Sequence, residues 1–398
     1  MIQRRNLREK GMRLRAGKPE EVGVSADRVN KILEKAQDWV DDGIHPSLVI
    51  LAARHGEIFL HDALGSLGTE DPSCPIELNT IFPLASISKL FTATAAMILV
   101  EEGLLGLNRP VADYLAEFTG EDKAGVLVRH LMTHTSGIRD EQVYERLRNE
   151  GIEWEDPFPF SWLTENTERY IALICETSLH NPPNQEMYYA DANFDLLGEI
   201  VGRIAGTGIA EFAEKRIFSP LGMRDTSFMV PDDRREQVVK RPQSAPIYDF
   251  SLHAMNIPLG SMGAFSTAMD MAIFCQMFLN SGVYGEARIL SPASVHAMTR
   301  NQIPGIGAHF LDEYFPEGNW GLGWSVHQNG KSWAYGEVLQ SQHSFCHGGA
   351  GGVFLWVDPV YDVVAVFFSV VLDLLENERP KACTDLFINA VLSSIVDL

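Results

Sequence analysis

With 398 residues, 45% of them hydrophobic and 21% charged, the chain is long enough to bury a large core in one or two domains. Fifty-three acidic against 32 basic residues leave a net charge of −21, which argues against nucleic acid and anionic membrane surfaces as partners. No run of eighteen apolar residues occurs, so no membrane span is expected.

The charge is uneven. Residues 1–18 hold seven Lys or Arg and one Glu, a net of +6, and the rest carries −27. This predicts a basic, solvated arm over 1–18 ahead of a domain over 19–398. The first thirty residues contain no apolar h-region. The five Cys (74, 175, 275, 346 and 383) show no Cys-x-x-Cys spacing. Both features lead to the expectation of a cytoplasmic protein with reduced thiols.

Ser25-Ala26-Asp27 opens a helix that reaches about Val40 and closes at Asp41-Asp42-Gly43. Ser47–Arg54 reads as a strand, His55-Gly56 as a turn, and Glu57–Ala63 as the returning strand. The next helix starts near Ser86 and ends at Gly103. Pro110–Leu115 forms a helical turn, and a further helix ends near Gly137. His130 and His134 are four apart, but no Glu or third ligand completes a metal set, so no metal is expected.

Residues 139–187 are charged and then aromatic, with Trp154, Phe158, Phe160 and Trp162, and fit either a pocket wall or a surface excursion. Asn193–Ala205 is an amphipathic helix, another follows from Ile209, and Gly260–Thr267 is a Gly-rich turn before a helix over Asp270–Leu279. Gly323–Gln328, Ser344–His347, Val353–Asp358 and Val363–Val371 are strand-like, with Asn329-Gly330 as a hairpin turn. A last helix spans Pro380 to about Val396. Strands thus gather at both ends of the chain and helices in the middle, with no internal repeat.

Chemistry concentrates at Phe82–Leu90. Residues 90–100 are apolar nearly all round, as in a helix buried at the centre of the molecule. Ser86 lies at its mouth, where free N–H groups and partial positive charge favour a developing anion. Lys89 lies one turn on along the same face, and no other Lys in the chain has Ser three residues before it. A Lys in a dry place can act as a base or orient one.

Taken together, the motifs resemble the class C β-lactamase-like serine hydrolases, a group that includes family VIII esterases, D-aminopeptidases and carboxypeptidases, and penicillin-binding proteins. Pro19-Glu20-Glu21-Val22-Gly23 is similar to the family's opening. Ser86-Ile87-Ser88-Lys89 is similar to its Ser-x-x-Lys motif, and Leu131–Gly137 to a stretch typical of the group. Tyr189-Ala190-Asp191 falls where the family has Tyr-x-Asn, and His347-Gly348-Gly349 where it has Lys-Thr-Gly.

The resemblance implies an α+β fold of the β-lactamase/transpeptidase type, an antiparallel sheet flanked by helices with a mainly helical subdomain. The α/β part would cover about 19–85 and 316–398, and the helical part about 86–315. It implies Ser86 as nucleophile, with Lys89 and Tyr189 as proton carriers. It further implies the backbone N–H groups of Ser86 and Ala350 as oxyanion donors, with Asp191, His347, Gly348 and Gly349 around the substrate. No cofactor is implied.

Beside Lys89 as an ammonium, the Tyr189 phenol is expected to fall toward neutrality and serve as a base. Which of the two is the base is a coupled titration that the residues leave open. Asp191 in place of Asn adds negative charge beside Lys89. His347 in place of Lys removes a permanent cation for gripping a substrate carboxylate. Both departures favour a neutral carboxylic ester over a β-lactam, with hydrolysis of a small amide or D-amino-acid peptide, or weak β-lactamase activity, as the alternative. Tyr314, Phe315, Trp320, Trp324 and Trp333, with the aromatics at 154–162, are candidates for an apolar pocket.

An α/β-hydrolase fits less well, because His347-Gly348-Gly349 follows the nucleophile and no Gly-x-Ser-x-Gly occurs. Cys346 and His347 do not form a thiol pair on a strand, where neighbours face opposite ways. A non-catalytic scaffold is the alternative of another class, against which Ser86, Lys89 and Tyr189 are all retained. The oligomeric state has no signature in the sequence.

Overall fold

The computed structural model describes residues 11–68, 71–152, 160–241, 257–310, 313–327, 338–371 and 379–397. Its centre is a sheet made from the two ends of the chain. From one edge the strands run Arg15–Ala16, Glu57–Gly68, Ser47–Arg54, Val363–Ser369, Val353–Asp358, Phe345–Gly349 and Ser325–Val326. A short strand, Asp71–Pro75, pairs off Glu57–Gly68. Every neighbouring pair is antiparallel except the first, where Arg15 and Ala16 run parallel to Glu57 and Ile58. That end of the basic stretch is therefore an edge strand and not a free tail, while residues 1–10 lie outside the described residues.

All eight residues of Ser47–Arg54 are buried, because both faces of the sheet are covered. Successive side chains point to opposite faces. Leu48, Ile50 and Ala52 pack with Trp356 and Phe367 against Trp39 of the Ala26–Asp41 helix and Phe387 of the Arg379–Ser393 helix. Val49, Leu51 and Ala53, with Leu355, Val366 and Phe368, join the main core from the other side. The Ala268–Leu279 helix packs on that face, and behind it lies the helix Ser88–Glu101.

Ser88 through Leu99 are all buried, as expected of a helix without a polar face. Most strand and helix bounds read from the sequence agree to within a few residues. Among the exceptions, Glu57–Ala63 continues to Gly68, the helix expected to end near Gly137 ends at Met132, and in the described part of Gly323–Gln328 only Ser325–Val326 pairs in the sheet. The Asn329-Gly330 turn and the aromatics Trp154, Phe158 and Trp333 lie outside the described residues. No described helix is long and apolar enough to cross a membrane.

Candidate active site

Ser86 sits in a single 3-10 turn, Ala85–Ile87, that leads into the Ser88–Glu101 helix. From Thr80 to Leu99 it is the only residue that is not buried. Ala85, directly before it, has φ 46°, a left-handed conformation that non-glycine residues avoid and that concentrates at functional sites. The turn is pinned from outside: Leu84 N–H donates to the Ala264 carbonyl at 2.8 Å, and Ala264 N–H donates to Ser88 Oγ at 3.0 Å.

Lys89 is fully buried one turn below Ser86. Its ammonium donates to Ser86 Oγ at 3.0 Å, to Asp191 Oδ1 at 2.6 Å and to the Ser261 carbonyl at 3.2 Å. Three donors thus have three acceptors. Because Ser86 Oγ accepts from Lys89, its own O–H is left to point elsewhere, and the Tyr189 hydroxyl lies within hydrogen-bonding reach of both Ser86 and Lys89. Burial works against the Lys89 charge, but Asp191 and Tyr189 outweigh it and hold the amine above its ordinary range. Burial raises the Tyr189 phenol more than Lys89 lowers it. The resting pair is therefore ammonium and phenol, and the expected drop of Tyr189 toward neutrality is corrected by its burial.

Tyr189 follows the short strand Met187–Tyr188, and Asp191 opens the helix Asp191–Ala205. His134, at φ 55°, stacks on the Tyr189 ring with centroids 4.4 Å apart, and its Nδ1 accepts from Ala190 N–H at 3.2 Å. His130 Nδ1 instead accepts from Leu127 N–H, so each of these histidines is engaged with backbone. Asp140 accepts from Asp191 N–H at 2.7 Å and Ala192 N–H at 3.0 Å, capping that helix from another segment. Asp195 accepts from Ser261 N–H at 2.9 Å and from the Tyr170 hydroxyl at 3.3 Å. Burial, and then the charge of Asp191, push Asp140 up to about 8 and Asp195 up to about 7.

The strand Phe345–Gly349 brings the remaining candidates. A Cβ on Gly349 would lie 2.2 Å from the Leu84 carbonyl oxygen, so only glycine lets this strand edge come so close to the Ser86 turn. Ala350 is exposed just beyond it. His347 Nδ1 donates to the Gly348 carbonyl at 2.7 Å, which leaves Nε2 as a buried acceptor without a partner among the described residues. Burial and the nearby Lys89 charge lower His347 to about 3, so it stays neutral at working pH.

Of the aromatics expected around a pocket, Phe315 and Trp324 are buried in cores and Trp162 packs against one. Trp320 packs edge-on to His134, Tyr189 and His347. Tyr314 is 60% exposed and lines a polar cleft of about 290 Å³ with His180, Asn181, Gln185, Glu186 and Gly307. That cleft lies beside Met187, whose N–H donates to the Gly307 carbonyl.

Asp140, Asp195 and the Ser261 carbonyl were not legible as site groups. The one hint was that Asp191 and Asp195 stand four apart on one helix face.

A Ser-bearing turn over a central helix, with a buried Lys–Tyr–carboxylate cluster facing a glycine strand, is an arrangement that can support serine acyl transfer. The Beta-lactamase family model matches residues 32–381, and the chain belongs to the β-lactamase family, as a serine hydrolase within it. A protein of Salmonella schwarzengrund (strain CVM19633) named "Putative D-alanyl-D-alanine carboxypeptidase" is 25% identical, covering 89% of this chain and 85% of its own length. Among solved structures, a penicillin-binding protein homolog from Caulobacter crescentus has a TM-score of 0.74 at 21% identity, covering 94% of this chain and 99% of its own. A family VIII carboxylesterase has a TM-score of 0.73 at 19% identity, again covering 94% and 99%. The fold expected from the resemblance is the fold found.

Proposed function

We propose that the protein hydrolyses small uncharged carboxylic esters through an acyl-enzyme on Ser86. The observation that supports an uncharged substrate is the electrostatics around Ser86: Lys89 is buried and ion-paired to Asp191, and His347 is neutral. Neither residue offers a free cation to a carboxylate on the substrate.

In acylation, the Lys89–Tyr189 pair, having first given up one proton to solvent, takes the Ser86 proton, Oγ bonds to the carbonyl carbon, and the carbonyl π pair moves onto oxygen. The N–H groups of Ser86 and Ala350 receive that oxyanion. Collapse expels the alkoxide, which takes the proton back from the pair and leaves as the alcohol. Water then repeats the sequence, the acid departs and Ser86 regains its proton. The cleft would lie between the sheet part (19–85 and 316–398) and the helical part (86–315). Five free thiols, four of them buried, suit a reducing compartment and support the cytoplasmic reading.

The curated relative's name favours a second reading, a D-amino-acid peptide substrate. One experiment separates the two. Wild type and Ser86→Ala are assayed with p-nitrophenyl acetate, butyrate and octanoate, with nitrocefin, and with a peptide ending in D-Ala-D-Ala. Ester turnover that vanishes in Ser86→Ala, with little on the anionic substrates, is expected. Preferred cleavage of the peptide would replace the ester reading, and turnover surviving in Ser86→Ala would overturn the nucleophile.

A further inference from the structure

Arg241 is 5% exposed and has no carboxylate partner among the described residues. Its Nη2 donates to the Gly351 carbonyl at 2.9 Å and its Nη1 to the Val371 carbonyl at 3.3 Å, while Nε has no partner among the described residues. An unpaired cation is costly to bury, and two carbonyls do not neutralise it. Desolvation accordingly lowers the guanidinium to about 10, still charged at neutral pH.

Its position ties together the two segments that carry the proposed oxyanion donors. On the backbone side, Val239 N–H donates to the Ile81 carbonyl at 2.9 Å, and Ile81 N–H donates to the Gln237 carbonyl at 2.9 Å. Ile81 leads directly through Phe82–Pro83 to the Ser86 turn. On the side-chain side, the guanidinium backs the Gly349–Gly352 turn, which holds Ala350. Gly351 has φ 95°, and a Cβ there would lie 2.1 Å from Arg241 Nη2, so the turn is shaped to accept the guanidinium. The same Gly351 carbonyl also accepts from Val371 N–H at 3.0 Å.

We infer that Arg241 is the positioning residue of the oxyanion site: it braces the Ala350 turn against the segment leading to Ser86, and its charge, unpaired with any carboxylate among the described residues, favours the anion formed between them. This rests on the Ser86 acyl-enzyme reading. Among the described site residues, Lys89 is paired to Asp191 and His347 is neutral, which leaves the Arg241 charge to act on the oxyanion. The charge is absent from the substrate's ground state and present in the tetrahedral state, so its effect falls on kcat and not on KM.

The test compares Arg241→Gln and Arg241→Lys with wild type on p-nitrophenyl butyrate, alongside Ser86→Ala. Affinity for phenylboronic acid, a neutral molecule that becomes a tetrahedral anion on Ser86, is measured in parallel. Arg241→Gln is expected to lower kcat by about tenfold to a hundredfold with KM within about twofold, and to weaken the boronate by a similar factor. Arg241→Lys is expected to recover most of both, because it keeps the charge. A folded Arg241→Gln with kcat and boronate affinity unchanged overturns the inference. So does equal loss in both variants with a raised KM, which would mean packing alone. Should Arg241→Gln fail to fold, loss of boronate affinity in a folded Arg241→Lys overturns it as well. Turnover that survives in Ser86→Ala, or a wild type inert to ester and to a fluorophosphonate, defeats the acyl-enzyme reading itself and is distinguishable from all of these.

Discussion

At the scale of single residues, the site holds its protons tightly. Lys89 and Tyr189 are both held above their ordinary ranges, and Asp191 contributes to each shift. The form ready to accept the Ser86 proton has one proton fewer than the resting pair, so activity should rise toward alkaline pH and not plateau at neutrality. Asp191→Asn removes the charge that holds both groups up while keeping an oxygen for Lys89. Its alkaline limb in kcat/KM should move down by roughly one to two pH units. An unmoved limb would mean that another group controls it. His134, Asp140, Asp195 and His347 are the other titrating groups around the pair, and the two histidines are already neutral through burial and the Lys89 charge.

The residues named from sequence are those whose type carries the chemistry: Ser86, Lys89, Tyr189 and the glycines. Those missed act across the fold or through backbone. Asp140 caps a helix 51 residues away, Asp195 holds Ser261 from 66 away, the Ser261 carbonyl reaches Lys89 across 172, and Arg241 reaches Gly351 across 110. A carbonyl has no residue signature, and a tertiary cap has no fixed spacing, so neither is written in a local pattern.

At the scale of elements, the site depends on how closely a strand edge and a turn approach. Gly349→Ala places a methyl against the Leu84 carbonyl, and the strand must withdraw by a fraction of an ångström or more. Such a shift separates Ala350 from Ser86, and kcat should fall by roughly a hundredfold. Fluorophosphonate labelling of Ser86 should slow with it, while the far-UV circular dichroism stays unchanged. Full activity in Gly349→Ala would mean that the strand carries no oxyanion donor.

The helix Asp191–Ala205 is held by carboxyls with raised values, and this has a consequence for stability. Asp195 lies at about 7 in the folded protein against about 3.9 unfolded. A raised carboxyl binds its proton more firmly when folded, so its contribution is full below about pH 4 and drains as pH rises through about 7. The isosteric Asp195→Asn lacks that loss. Between pH 5 and 9 the urea midpoint of wild type should fall relative to the variant, and parallel midpoints would contradict the assignment. Sequence periodicity found these elements because Ser47–Arg54 and the Ser88–Glu101 helix are apolar on every side, a pattern that survives any tertiary context.

At the scale of the whole molecule, residues 23–25 and 54 are stitched to residues 394–397. Ser25 N–H donates to the Ser394 carbonyl at 2.8 Å, Val396 N–H to the Gly23 carbonyl at 2.9 Å, and Arg54 pairs with Asp397. A circular permutant that joins residue 397 to residue 12 through a short Gly-Ser linker, with new ends opened at Gly151, should therefore keep its fold and most of its esterase activity. A chain stopped after Asp362 loses the strand Val363–Ser369 and should be recovered only in aggregates, because the edge of Ser47–Arg54 is left unpaired. Soluble, active truncated protein would contradict the sheet order.

That same strand order also sets a timetable for synthesis. The segment bearing Ser86 is made well before the turn bearing Ala350 and the strand that seats it. On the Ser86 acyl-enzyme reading, a nascent chain has its nucleophile before the turn that would receive the oxyanion, and should stay inert until Val363–Ser369 slots between Ser47–Arg54 and Val353–Asp358. A stop codon or a stall ahead of that strand should therefore yield no partial enzyme.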